Sequence, residues 1–331
     1  MPVTIKDIAR MAGVSTATVS KVLSRRDPHI SQATRQRVLD LAKQHSYRPS
    51  ALARTLVTRR SRMIGIVVPD ILNPYFAQFV RACDNEARAR GYSTIVCNSD
   101  DDPKREREQI EFLASQRAEG IILSAGSVVP DIDFLRSLGT HIACIDREIE
   151  AAEWMSATIV TDYRGGAFAA AQHLIARGHR RIAFLGGARE HFNVRERMAG
   201  FELAHREIGI AVDPELVACG SFQHGFGLES TRRLLRQTTF SAICCMSDIL
   251  AMGACAALRE IGKSVPDDCA VIGFDNTFLA PLLQQPLSSV DRRLEESAHL
   301  AIAAIVGSIE NPDLVCQRHM LHTAVVARQT T

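Results

Sequence analysis

Thirteen polar and aromatic side chains share one placement: each follows closely on a short apolar run. Asn73, Tyr75 and Phe76 follow Met63–Pro69, and Asp146 with Arg147 follows Ala143-Cys144-Ile145. His191, Asn193 and Arg197 follow Leu185-Gly186-Gly187, and Phe222 follows the run at 215–219. Ser247 and Asp248 follow Cys244-Cys245-Met246, Asp275 follows Val271–Phe274, and Arg292 follows Ser289-Val290-Asp291. Carboxylate and guanidinium groups bind hydroxyls in pairs, and aromatic faces stack on the apolar faces of a sugar ring. The set therefore suits a polyol better than a lipid. Asp248 has a purely structural alternative, as the cap of a helix starting at Ile249.

Reaction chemistry finds less support. Gly186-Gly187-Ala188 falls short of the Gly-x-Gly-x-x-Gly that a dinucleotide needs. There is no P-loop, no Gly-x-Ser-x-Gly, and no Cys/His pair that the pattern brings together. Asp100-Asp101-Asp102 precedes a charged helix and reads as solvated. The one metal-like spacing, His319-x-x-His322, lies in a segment that reads as a strand, so no metal and no cofactor is expected. An enzyme is the distant alternative.

The elements that must hold the thirteen residues are strands and helices in alternation. Met63–Pro69 is a continuous apolar run, as in a strand buried on both faces, and a helix is expected at 75–90 before Gly91. Further runs lie at 92–97, 119–123 and 141–145. The plan restarts at Arg181–Gly187 and continues at 215–219, 241–246 and 269–274. Alternation of this kind predicts two doubly wound parallel-sheet lobes, with ligands beyond the carboxyl ends of the strands.

The first 62 residues differ in kind. They hold thirteen Lys and Arg against three acidic residues, a net +10, whereas the other 269 residues carry −8. A small basic head on an acidic body points to a polyanionic partner. Ile5, Ile8, Ala9 and Ala12 recur at helical spacing behind a Thr4 cap, and Gly13 ends that helix. Ser15 caps a second helix with Val19, Val22 and Leu23 on its apolar face. Ser31 caps a third, along which Thr34, Val38, Leu41 and Ala42 are spaced. Two short helices joined at a glycine turn, closed by a third, form the helix-turn-helix plan. The small and hydroxylated residues that open the second helix suit close approach to a DNA groove. Residues 47–57 could begin another helix with Pro49 in its first turn and Ala53 and Leu56 three apart. Thr58–Arg62 reads as a basic linker.

The run Thr4–Leu23, with Tyr47–Leu56, resembles the DNA-binding head of the lactose/galactose repressor family, and the body resembles that family over the rest of the chain. The resemblance implies a homodimer on a near-palindromic operator in double-stranded DNA. It places Thr16, Ala17 and Lys21 on base edges, and Ser15, Thr18, Ser31 and Thr34 on phosphates. Ala53 and Leu56 fall in the minor-groove hinge helix, with Leu56 as an apolar wedge. The loop 24–29 looks slightly longer than in the lactose repressor, so the resemblance assigns no phosphate contact around His29.

The body is also similar to the periplasmic ribose-binding fold. Asn73–Phe76, Asp146-Arg147, Arg197, Phe222, Asp248 and Asp275 match that pocket. Ser247 stands where it has asparagine and Arg292 where it has glutamine. His191 and Arg292 hint at a sugar acid or phosphorylated sugar, unless Arg292 pairs with Asp291 or Glu295. The expected organisation is a head at 1–48, a hinge helix and linker at 49–62, and an effector-binding body at 63–331. One lobe would span about 63–160 and 291–319, the other 161–290 and 320–331. The expected protein is a transcriptional regulator, most simply a repressor, controlled by a carbohydrate-like effector. The alternative is a purine or protein co-regulator. No apolar run is long enough to cross a membrane. The start of the chain lacks the apolar core of a secretory signal, and the nine scattered cysteines read as reduced thiols, so a cytoplasmic protein is expected. A transport-type binding protein would lack the basic head. No heptad pattern follows the last strand, which favours a dimer over a tetramer.

Overall fold

The computed structural model describes residues 3–23, 29–47, 60–124, 126, 131–147, 149, 152–311 and 313–331. The chain divides into two compact units, Met1–Ser61 and Arg62–Thr331.

In the first unit, three helices form: α1 Ile5–Ala12, α2 Thr16–Leu23 and α3 Gln32–Gln44. Thr4 and Asp7 form a reciprocal capping box at the start of α1, and Gly13 ends it in the left-handed conformation, φ 64°. That turn redirects the chain into α2 at no steric cost. Ile8, Ala9, Ala12, Val19, Val22 and Val38 make the core, with Leu23, Leu41 and Tyr47 packed against it. The expected apolar faces are therefore the buried ones. The hinge residues Ala53 and Leu56 lie outside the described residues.

The second unit contains two six-stranded sheets. The first holds β1 Met63–Val68, β2 Ser93–Asn98, β3 Gly120–Leu123, β4 His141–Ile145, β5 Ala157–Thr161 and β11 Gln317–Leu321, in the order β11-β5-β4-β3-β1-β2. The second holds β6 Ile182–Gly187, β7 Val217–Gly220, β8 Ala242–Cys245, β9 Ala270–Asp275, β10 Ser288–Asp291 and β12 Ala324–Val326, in the order β12-β10-β9-β8-β6-β7. Every pairing is parallel except β10 with β12, which is antiparallel. The chain passes between the sheets after β5, after β10 and between β11 and β12.

Helices cover both faces of each sheet, which is why β1, β3 and β6 read as unbroken apolar runs. In the first lobe, Pro74–Ala89 and Leu294–Glu310 bury Phe79, Cys83, Ile302 and Ile305 against β1 and β4. In the second, Tyr163–Ala176 and Phe192–Glu207 bury Ala167, Ala171 and Phe201 against β6 and β9. The last two helices approach backbone to backbone. A Cβ on Gly200 would meet the Arg164 carbonyl oxygen at 2.1 Å, so only glycine permits the contact. That packing fixes the helix that carries Arg197.

Candidate functional site

The α2 face of the head exposes Thr16, Ala17, Ser20 and Lys21, while Val19 and Val22 are buried beneath. Ser15 Oγ accepts from the Thr18 amide at 3.1 Å, and the two hydroxyls lie 2.9 Å apart. Ser31 repeats the pattern at α3: it accepts from the Thr34 amide at 3.3 Å and donates to Thr34 Oγ1 at 2.9 Å. Each pair thus caps a helix and presents hydroxyls at a helix N-terminus, where amide groups and dipole favour an anion.

In the body, the strand ends of both lobes converge on one cleft. Its outer part has a volume of about 540 Å³ and is lined by Asn73 and Phe76 from one lobe and His191, Asn193 and Phe222 from the other. It leads to an inner chamber of about 30 Å³, room for a single small group, which shares Asn73, Phe76, Asn193 and Phe222 with the outer part. Tyr75, Arg197, Met246, Ser247, Asp275 and Arg292 complete its wall. Asn73 accepts from the Tyr75 amide at 3.0 Å and starts the helix that carries both aromatic rings. A Cβ on Gly187 would collide with the Phe222 ring at 2.3 Å, so glycine there makes room for the aromatic wall.

Arg292 is the centre of the chamber. Its Nη1 donates to Asp275 at 2.8 Å, and its Nη2 donates to Asp146 at 2.6 Å and to the Tyr163 hydroxyl at 2.5 Å. Its guanidinium lies 3.6 Å from the centre of the Tyr75 ring. Arg292 thus pairs with two carboxylates at other strand ends, not with the alternative partners Asp291 or Glu295. Arg197 packs between Phe274 and Tyr163, 4.3 and 4.4 Å from their ring centres, with Asp275 at 3.8 Å. Burial raises the Asp275 carboxyl, and the facing Arg292 and Arg197 pull it back. Asp146 and Asp275 both stand at positive φ, 54° and 112°, where the chain turns sharply off its strand.

Three expected ligand residues line neither part of the cleft: Asp146, which stands behind Arg292, and Arg147 and Asp248. Arg147 donates to the Ser124 carbonyl oxygen at 2.8 Å and to Glu106 at 3.0 Å, and it lines neither part of the cleft. Its role is to tie the end of β3 to the helix Pro103–Ser115. Asp248 is likewise turned away: it accepts from the Thr277 amide at 2.7 Å, the Thr277 hydroxyl at 2.8 Å and the Ser289 hydroxyl at 2.5 Å. It holds the turn after Asp275 in place, and Ser247, not Asp248, caps the helix that follows.

The acidic run at 100–102 is solvated as expected, and it also meets the cleft. Asp102 caps the following helix, but Asp100 and Asp101 line the cleft. Asp101 lies 3.3 Å from His191 on the opposite lobe. The Phe278 amide donates to Gln78 at 2.9 Å and makes a second bridge between the lobes. A run of three acids before a helix looks the same whether it faces water or a partner domain, so only the packing of the lobes reveals this role. Among the described residues, no group of three or more His, Cys, Asp or Glu could hold a metal ion. No helix among them is long and apolar enough to cross a membrane.

Burial, with Asp275 adding to it, pushes the Asp248 carboxyl up to about 7. A folded-state value above the unfolded one stabilises at low pH, and that stability is lost as pH rises. Asp248→Asn mimics the neutral form. Wild type is expected to match it near pH 4 and to fall behind as pH rises, to a plateau of roughly 4 kcal/mol above pH 7. Chemical denaturation of both proteins between pH 4 and 8 measures the gap; a pH-independent gap would show that Asp248 is ionised throughout.

A helix-turn-helix unit and a two-lobed ligand cleft on one chain define a DNA-binding transcriptional regulator. Residues 4–50 match the family described as "Bacterial regulatory proteins, lacI family", and residues 171–331 match the periplasmic binding protein-like domain. The chain belongs to the LacI family of bacterial transcriptional regulators. It is 32% identical over 334 residues to the HTH-type transcriptional regulator RegA of Clostridium saccharobutylicum, covering 100% of both chains. Among solved structures it resembles the transcriptional regulator CelR in complex with cellobiose, at 27% identity and a TM-score of 0.72, over 99% of this chain and 100% of that one. The fold also matches the Lac repressor dimer bound to operator and the anti-inducer ONPF, at 24% identity and a TM-score of 0.86, over 100% and 99% of the two chains. These neighbours are transcriptional regulators, not enzymes.

Proposed function

We propose that the protein is a homodimeric repressor whose affinity for DNA is set by a small carbohydrate-like effector bound between its lobes. One observation carries this reading. The cleft joins polar groups of both lobes, Asn73 and Asp101 on one side and His191, Asn193, Arg197 and Asp275 on the other, with Phe76 and Phe222 as apolar walls. Its volume falls within the roughly 300–1,000 Å³ of small-molecule sites. The cellobiose bound to the structurally similar CelR supports a sugar in this cleft. A ligand that touches both lobes stabilises the closed arrangement and acts through its differential affinity for two states. In this reading Thr16, Ala17 and Lys21 read base edges, and Ser15, Thr18, Ser31 and Thr34 hold phosphates. Each protomer of the dimer would take half of a near-palindromic operator.

A thermal-shift screen of neutral sugars, sugar acids, sugar phosphates and purines tests the effector. A ligand at about 100 times its Kd stabilises by roughly 2.7 kcal/mol, a clear rise in Tm. A sugar hit that also changes DNA affinity is the expected result. A response confined to purines, or none to any small molecule, would replace the carbohydrate with a purine or a protein co-regulator.

A further inference from the structure

Four charged side chains, all buried, surround the inner chamber: Arg197, Arg292, Asp146 and Asp275. Two guanidinium groups and two carboxylates leave no net charge. Arg292 commits both terminal nitrogens to the carboxylates and the Tyr163 hydroxyl. Arg197 stays 3.8 Å from Asp275, so it adds charge balance more than a hydrogen bond. Asp146 stands behind Arg292 and off the wall itself, and among the described residues the wall holds no charged residue beyond Arg197, Arg292 and Asp275.

Four polar atoms of the wall are buried without a partner: Nε of Arg197, Nε of Arg292, the Tyr75 hydroxyl and Oδ1 of Asn193. Two of these only donate, one only accepts and one does either. A hydroxyl group donates and accepts, so the one small group that fits the chamber can serve both kinds of atom if it is a hydroxyl. A carboxylate or phosphate dianion only accepts. It would satisfy the guanidinium N–H groups but would set its lone pairs against Asn193 Oδ1. It would also bring uncompensated negative charge next to Asp146 and Asp275 in a site that water does not screen. Among the described residues the mouth adds no arginine or lysine of its own: Asp70, Asp100 and Asp101 line it, with Asp100 paired to Arg105 and Asp101 facing His191.

We infer that Arg292 is a built-in counter-ion that makes the cleft select uncharged polyhydroxy ligands over the corresponding acids and phosphates. Arg292 is thus a specificity-determining residue that excludes anions, the reverse of what an added arginine suggests. This inference rests on the reading of the cleft as a carbohydrate site.

The test uses the full chain and matched sets of probes: D-ribose, D-ribonate and D-ribose 5-phosphate; D-glucose, D-gluconate and D-glucose 6-phosphate; cellobiose and cellobionate. Isothermal titration is expected to find binding in the neutral member of at least one set, with its acid and phosphate about 100-fold weaker or more. An acid or phosphate that binds as tightly as its neutral counterpart overturns the inference and leaves the carbohydrate reading intact. No binding in any set overturns the carbohydrate reading, and the inference with it. Asp275→Asn leaves the chamber with one net positive charge. It is expected to shift the ratio of acid to neutral affinity at least about tenfold toward the acid. Asp146→Asn makes the same change at a residue that does not line the chamber, so the ratio can be read even if one variant does not fold. An unchanged ratio in whichever variants fold would remove Arg292 and its carboxylates from specificity.

Discussion

Raising the salt from about 50 to about 200 mM is expected to weaken binding to duplex DNA by roughly 10³- to 10⁵-fold. Residues 1–62 hold thirteen basic and three acidic residues, and the body is net negative, so DNA attraction is confined to the head. Each phosphate that a Lys or Arg neutralises releases condensed counterions, and the entropy of that release shrinks as the bulk salt rises. Six to ten such contacts give the stated range. In the proposed reading, the exposed Lys21 and the hydroxyl pairs at the starts of α2 and α3 would add positioning and base contact, which depend less on salt. Because the electrostatic part is independent of sequence, any labelled duplex serves, and fluorescence anisotropy across a salt series measures the slope. A flat response would show that the basic head is not the binding surface.

Arg292→Gln is expected to destabilise the body by about 3–5 kcal/mol at neutral pH. The substitution removes the cation that faces Asp146 and Asp275, which are 4% and 5% exposed. Two carboxylates then share a buried site with Arg197 alone, which reaches only Asp275 and only at 3.8 Å. For a domain of this size the Tm is expected to drop by roughly 6–20 °C. The pH dependence identifies the cause. Burial already raises the Asp275 carboxyl while Arg292 pulls it back, so loss of Arg292 is expected to raise it further above its unfolded value. Such a group holds its full stability below the unfolded value, near 4, and loses it as pH rises. The deficit of the variant is therefore expected to shrink on acidification from pH 7 to about 4. Arg292→Lys keeps the charge but loses the two-pronged contact, so an intermediate loss is expected. A calorimetric Tm for Arg292→Gln within about 2 °C of wild type would mean that the carboxylates find other partners.

Much of the architecture is legible locally. The spacing of Ile8, Ala12, Val19, Val22 and Val38 is the period of a helix, and Thr4, Ser15 and Ser31 announce the helix starts. Runs such as Met63–Val68 and Ala270–Phe274 mark strands buried on both faces. β5 is less visible because Ala157-Thr158-Ile159-Val160-Thr161 breaks its apolar run with threonines. The backbone amide at 161 donates to Asp146 at 2.7 Å, a bond that needs no threonine side chain. The 215–219 run is in part a short 3-10 turn, Pro214–Leu216, since proline at 214 starts a turn more readily than a strand.

The candidate site divides along the same line. Sequence alone determines that polar residues stand at strand ends, because an apolar strand must stop where the sheet meets water or ligand. It determines the basic head and its exposed hydroxyls, because charge and helical period are properties of neighbouring residues. It does not determine which polar group meets which. Arg292 is next to Asp291 in the chain, yet its partners are Asp275 and Asp146, 17 and 146 positions away. The parallel register of β9 and β10 places Asp275 opposite Asp291, and the packing of two lobes delivers Asp146. The same packing brings Asp101 to His191, while packing within the first lobe turns Arg147 toward Glu106. Pairing of buried charges is decided by distances across the folded sheets, and a low-dielectric interior enforces it far more strongly than adjacency along a solvated chain.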